Sequence, residues 1–212
     1  ADSWITITGG ASGSGRGTVT YSVAPKPDKG IRTGAIAVGG ETFTITQGKW
    51  VTQTVDATGG TGAYTSLACD KSGTVHIAYY DTTLGALKYA TNASGSWVSQ
   101  TVDASGNGGT YISLAVDGSG RAHISYYNTS DLKYATNASG SWQTAIVDYA
   151  GEVGMYGSLA LDGQSRAYIS YYDLLNTGGG RLKLATNKSG AWETRVVDNA
   201  SDVGQYSSLG LD

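Results

Sequence analysis

Three stretches repeat one pattern: Ser66-Leu67-Ala68-Cys69-Asp70, Ser113-Leu114-Ala115-Val116-Asp117 and Ser158-Leu159-Ala160-Leu161-Asp162. A fourth SLxxD begins at Ser208 and reaches Asp212. Each of the first three is followed by a segment ending in a tyrosine pair, Tyr79-Tyr80, Tyr126-Tyr127 or Tyr171-Tyr172. Next come LKYATN or LKLATN, a Ser-Gly turn, and a tryptophan (Trp97, Trp142, Trp192, with Trp50 ahead of the first copy). The tryptophan opens a segment ending in Val-Asp, at Asp56, Asp103, Asp148 and Asp198. Four short strands recurring at a period of roughly 47 residues predict four-stranded blades of a β-propeller. The innermost strand of a blade lines a crowded axis, which suits the small residues of SLA, and the tryptophan strand is then outermost.

Under this phasing the chain holds an orphan outer strand at 50–56, blades at 66–103, 112–148 and 158–198, and the start of a further blade at 208–212. Propellers close with roughly four to eight blades and so leave few edges. Three blades and two loose strands do not fill such a ring. The remaining blades are expected from a longer parent chain or from homo-oligomerisation.

The first 47 residues are of another kind. Residues 3–8, 17–24, 32–38 and 41–47 alternate apolar and polar side chains, as half-buried antiparallel strands do. Gly39-Gly40 supplies the positive φ of a tight hairpin. A small immunoglobulin-like sandwich over 1–47, with 48–49 as linker, is the expectation, and the whole chain is predicted all-β.

Two resemblances rest on these residues. SWITIT (3–8), GTVTYSV (17–23) and RTGAIAVGGETFTITQ (32–47) resemble the second half of a BACON domain, an immunoglobulin-like module of bacterial extracellular proteins. That family implies carbohydrate binding or a spacer role and carries no catalytic residues. Residues 50–212 resemble uncharacterised bacterial secreted β-propellers built on YISLAVD, HISYYD and LKYATNASGSW. Together the resemblances imply an extracellular or cell-surface location.

Composition narrows the function classes. Charged residues make up 15% and the net charge is −3, without a basic run, which argues against nucleic acid and anionic membranes. No apolar stretch reaches the length of a membrane-spanning helix. Cys69, the single cysteine, aligns with Val116 and Leu161 and reads as a small buried hydrophobe. Sequons at Asn92, Asn128, Asn137 and Asn187 read first as turn residues.

Few residues suggest chemistry. The tyrosine pairs fit interblade packing, with hydroxyls satisfied at the rim. They also fit an aromatic platform for sugar rings, in which Tyr80, Tyr127 and Tyr172 are flanked by Asp81, Asn128 and Asp173. His76 and His123 align with Tyr168, an exchange that suits a hydrogen bond to a neighbouring blade and not a metal ligand. The loops after Asp103, Asp148 and Asp198 place carboxylates near glycines and leave room for Ca²⁺, although their spacing matches no EF-hand. No cofactor is otherwise implied. No paired carboxylates, Ser-His-Asp set or phosphate-binding loop is present, so the chain reads as a non-enzyme. The loop after each tyrosine pair differs in length between copies, which is how a fixed scaffold diversifies a binding face. The expectation is an extracellular binding module for glycans or a cell-surface protein. The alternative is a structural or adhesive spacer of a stalk or filament.

Overall fold

A computed structural model describes residues 1–28, 30–48, 52–106, 108–174 and 179–212. These residues are all-β: sixteen strands in five antiparallel sheets, with no helix. Two compact units are distinguished, Ala1–Gln53 and Thr54–Asp212. Trp50, which opens the expected orphan strand, lies outside the described residues.

In the first unit β1 (Ile5–Gly9) pairs with β2 (Thr20–Val23), and β3 (Ile31–Val38) with β4 (Glu41–Gly48). Their two-residue alternation buries Ile5 and Ile36. The two sheets meet at Gly34, where a methyl group would come within 2.6 Å of the Trp4 ring. The Arg32 guanidinium covers that ring at 4.2 Å, and its Nε donates to Gln47 Oε1 at 2.8 Å.

The second unit is three blades, each a sheet whose strands lie in sequence order. Blade 1 comprises β5 (Thr61–Cys69), β6 (Val75–Asp81), β7 (Ala86–Thr91) and β8 (Val98–Asp103). Blade 2 comprises β9 (Gly108–Val116), β10 (Ala122–Asn128), β11 (Asp131–Thr136) and β12 (Gln143–Asp148). Blade 3 comprises β13 (Glu152–Leu161), β14 (Ala167–Leu174), β15 (Gly180–Thr186) and β16 (Glu193–Asp198). β9 packs against both β5 and β13, so the SLxxD strands are the inner ones. The ring of blades is not closed.

Apolar clusters between blades provide the core. Ala78, Leu87 and Tyr89 of blade 1 meet Leu114, Ile124 and Tyr126 of blade 2. Leu132, Tyr134 and Val147 of blade 2 meet Leu159, Ile169 and Tyr171 of blade 3. Trp142 and Trp192 pack edge-on against Tyr89 and Tyr134 of the preceding blade, at 5.1 and 5.0 Å between ring centres. The serine of SLxxD links successive blades, because its Oγ accepts the leucine N–H of the next inner strand. The pairs are Leu114–Ser66 at 3.0 Å, Leu159–Ser113 at 3.0 Å and Leu209–Ser158 at 3.1 Å. The sequon asparagines close turns, Asn92, Asn137 and Asn187 each accepting a backbone N–H at 2.8 Å.

Two features differ from the sequence reading. The inner strands begin at Thr61, Gly108 and Glu152, ahead of SLxxD, because the glycine-rich segment before it is a bulged continuation of the strand. Residues 52–56 and 207–212 form no strand. Residues 203–209 nevertheless run beside blade 3 as an inner strand would, with Val203 N–H donating to Gly180 O at 3.0 Å and Leu209 held by Ser158.

Candidate functional site

The two tyrosines of each pair separate cleanly. On a strand they point to opposite faces, and the first is an interblade staple. Tyr126 OH and Lys133 Nζ both donate to Asp103 Oδ2 of the preceding blade, at 2.6 and 2.5 Å. Tyr171 and Lys183 bind Asp148 in the same way, and Tyr79 and Lys88 bind Asp56 at 2.7 and 2.5 Å. Burial pushes the Asp103 and Asp148 carboxyls up, but the lysine and tyrosine hydrogen bonds outweigh it and hold both below the usual range. Burial first, and then the aspartate beside it, raises the Tyr126 and Tyr171 hydroxyls. These hydroxyls are satisfied in the interior, not at the rim.

The second tyrosine of each pair lies beside a further tyrosine that the sequence reading did not select. Tyr64, Tyr111, Tyr156 and Tyr206 each follow a glycine by two residues and adopt positive φ, between 50° and 55°. A bulky residue rarely takes that conformation. At Tyr64, Tyr111 and Tyr156 a bulge shifts the strand register, and all four rings turn along the row of inner strands. Ring centres are 5.6 Å apart for Tyr64–Tyr111, 4.7 Å for Tyr111–Tyr156 and 4.4 Å for Tyr156–Tyr206. Tyr80, Tyr127 and Tyr172 meet this row edge-on at 6.4, 6.0 and 5.9 Å. Seven tyrosines thus form one aromatic row. It lies at the blade end that also carries the β6–β7 and β10–β11 hairpin turns, because the start of each inner strand pairs with the end of its neighbour, as Thr61 does with Asp81.

Access along the row is uneven. Tyr64 and Tyr206 are exposed, Tyr80, Tyr111, Tyr127 and Tyr156 half-buried, and Tyr172 buried with its hydroxyl donating to Asp202 Oδ1 at 2.7 Å. Tyr127 OH donates to Thr129 O at 2.5 Å. Asp81 and Asp173, expected as sugar ligands, are buried and already engaged. Asp81 Oδ1 accepts the Thr83 and Leu84 N–H groups, and Asp173 Oδ2 accepts Arg181 Nε at 2.8 Å. Asn128 is half-buried, its Nδ2 3.5 Å from Ser105 Oγ. Tyr80, Tyr127 and Asn128 therefore remain reachable, while Tyr172, Asp81 and Asp173 serve the frame.

The histidines bond within their own blade, not to a neighbour. The Nδ1 atoms of His76 and His123 meet the hydroxyls of Tyr89 and Tyr134 on the adjacent strand, with Nε2 3.6 Å from Asp70 and Asp117. In blade 3 Tyr168 replaces histidine and Leu184 replaces the partner tyrosine, while Tyr168 OH reaches Asp162 at 3.4 Å. The exchange is coupled. Cys69 is exposed, on the same face of β5 as the exposed Leu67. In the loops read as room for Ca²⁺, the ammonium groups of Lys133 and Lys183 already sit on Asp103 and Asp148.

No protein-family model matches the chain, and no curated protein matches it. Among solved structures it is similar to a fucose lectin from Kordia zhangzhouensis in complex with methyl-fucoside, at 18% identity and a TM-score of 0.44, covering 64% of this chain and 99% of that one. It is similar to a bifunctional GH43-CE of Bacteroides eggerthii at 15% identity and 0.43, covering 65% and 20%. It is similar to AofleA from Arthrobotrys oligospora at 13% identity and 0.48, covering 89% and 63%. Likenesses this distant assign no ligand to the chain.

Proposed function

We propose that this chain is a non-catalytic binding module, acting outside the cell or at its surface, and that it recognises glycans at the blade end carrying the tyrosine row. One observation carries the reading: positive φ repeated four times, at Tyr64, Tyr111, Tyr156 and Tyr206, holds bulky rings in a backbone conformation that such residues rarely adopt. Tyrosine offers an apolar ring and a hydroxyl on one side chain, the combination that sugar rings and their hydroxyls require. The β6–β7 and β10–β11 hairpin turns beside the row differ in length and would set specificity. Lys88, Lys133 and Lys183 and most of the blades' aspartates are engaged with each other or with turns, which supports binding over catalysis.

A spacer role is the second reading, favoured by the way consecutive rings of the row pack against one another. Glycan-array binding of the 212-residue chain, compared with Tyr80→Ala and Tyr127→Ala, separates the two. Retained folding with lost binding supports recognition by the row. Absence of binding to any arrayed glycan favours the spacer.

A further inference from the structure

We infer that copies of this chain associate head to tail, blade 3 of one copy receiving blade 1 of the next through the interface that already joins its own blades. That interface occurs twice within the chain with the same parts. The earlier blade supplies an aspartate (Asp103, Asp148), a leucine (Leu87, Leu132) and a serine (Ser66, Ser113). The later blade supplies a Tyr–Lys pair onto the aspartate, a glycine (Gly109, Gly154) laid against the leucine backbone, and a leucine N–H onto the serine.

Blade 3 carries the earlier-blade set again as Asp198, Leu182 and Ser158. Blade 1 carries the later-blade set as Tyr79, Lys88, Gly62 and Leu67. Both sets are incompletely covered. Leu67 is 61% exposed, whereas Leu114 and Leu159 are each 7% exposed. A methyl group on Gly62 would meet nothing within 4 Å, whereas on Gly109 or Gly154 it would strike the preceding blade's leucine. Asp198 is exposed, whereas Asp103 and Asp148 are buried.

Two short segments occupy part of these positions. Residues 203–209 place Gly204 on Leu182 and the Leu209 N–H on Ser158, and Asp56 holds Tyr79 and Lys88. Neither segment belongs to a strand. On docking, β5 of the second copy replaces residues 203–209, and Asp198 replaces Asp56. β5 is a strand fully backed by β6, and the exchange buries Leu67, which neither segment covers. Such a heterologous contact propagates into a ring if its rotation closes and into a filament if it does not.

Leu67→Glu blocks the head and Asp198→Lys blocks the tail by setting an ammonium against Lys88. Both positions are exposed, and circular dichroism checks that both variants fold. Sedimentation velocity of the wild-type chain is expected to show a sedimentation coefficient that rises with concentration, and each variant alone to lose that rise. An equimolar mixture of the variants is expected to give a one-to-one dimer and nothing larger, because one intact head meets one intact tail. A wild-type chain that stays monomeric overturns the inference. So does a variant that associates like wild type, or a mixture that does not pair.

Discussion

Asp103→Ala is expected to destabilise the blade unit far more than its position at a strand end suggests. The carboxylate accepts Tyr126 OH at 2.6 Å, Lys133 Nζ at 2.5 Å and the Ser105 N–H at 2.8 Å. The Asp103 and Lys133 side chains are 8% and 11% exposed. Removing one partner of a buried ion pair costs about 3–5 kcal/mol. Lys133 keeps a hydrogen bond to Ser105 Oγ at 3.2 Å, which places the cost near the lower end. With a urea slope of about 2 kcal/mol per M, a loss of about 3 kcal/mol lowers the midpoint by about 1.5 M. The assay is urea unfolding followed by tryptophan fluorescence, at concentrations where the chain is monomeric. Replacing the whole staple, as Asp103→Leu with Tyr126→Phe and Lys133→Met, is expected to recover most of the loss, since no charge is left buried alone. Asp198→Ala is the control: Asp198 is exposed and accepts only the Ala200 N–H among the described residues, so its change should stay within about 0.5 kcal/mol. A cost at Asp103 no larger than at Asp198 would refute the staple.

Acid should weaken the blades in two stages. Burial lowers the His123 pKa, only partly offset by Asp117, so its folded value lies below the unfolded one. Its contribution is present above about pH 6.5 and is lost as the pH falls through the folded value. Asp103 and Asp148 are also held low when folded, so their share is intact above about pH 3.9 and disappears below it. Urea midpoints measured from pH 7 to 2 check this, and a midpoint that rises on acidification contradicts it. Grafting the blade 3 pair into blade 2, His123→Tyr with Tyr134→Leu, should cost less than the two single changes summed and should flatten the first stage. Tyr134→Leu alone strands a buried ring nitrogen, at about 1–3 kcal/mol, and strict additivity would defeat the coupling. Gly154→Ala should be much worse than Gly62→Ala in thermal unfolding. Both positions have φ above 100°, but only the former would put a methyl group 2.8 Å from Leu132 Cα.

The repeat made the blades legible, because each strand carries its own period-two pattern and the Ser-Gly turns punctuate them. The inner and outer order followed from the small residues of SLA. The staples were hidden: Asp103 stood out only as the end of a Val-Asp segment beside a glycine-rich loop, and Lys133 only as part of LKYATN. The signal was there in the recurrence of an aspartate and a tyrosine 23 residues apart in all three copies, with a lysine in the strand that follows the tyrosine, but the contact is long-range in sequence, and local patterns do not report it. The tyrosine row escaped for a related reason. Tyr64, Tyr111, Tyr156 and Tyr206 recur at the same distance from SL, yet positive φ at tyrosine runs against its intrinsic preference, and sequence alone does not signal it. Tyr172, Asp81 and Asp173 matched the chemistry of a sugar site and proved buried, because sequence shows residue type and not which side of a hairpin is covered.

Recognition at the tyrosine row is tested most directly by NMR on protein carrying ¹³C-labelled tyrosine rings, assigned by single Tyr→Phe changes and titrated with array-positive glycans. The largest shifts are expected at Tyr64, Tyr80, Tyr111, Tyr127 and Tyr156, with the rings of Tyr79, Tyr126 and Tyr171 unmoved. Shifts confined to tyrosines outside the row, or none at saturating glycan, would contradict it.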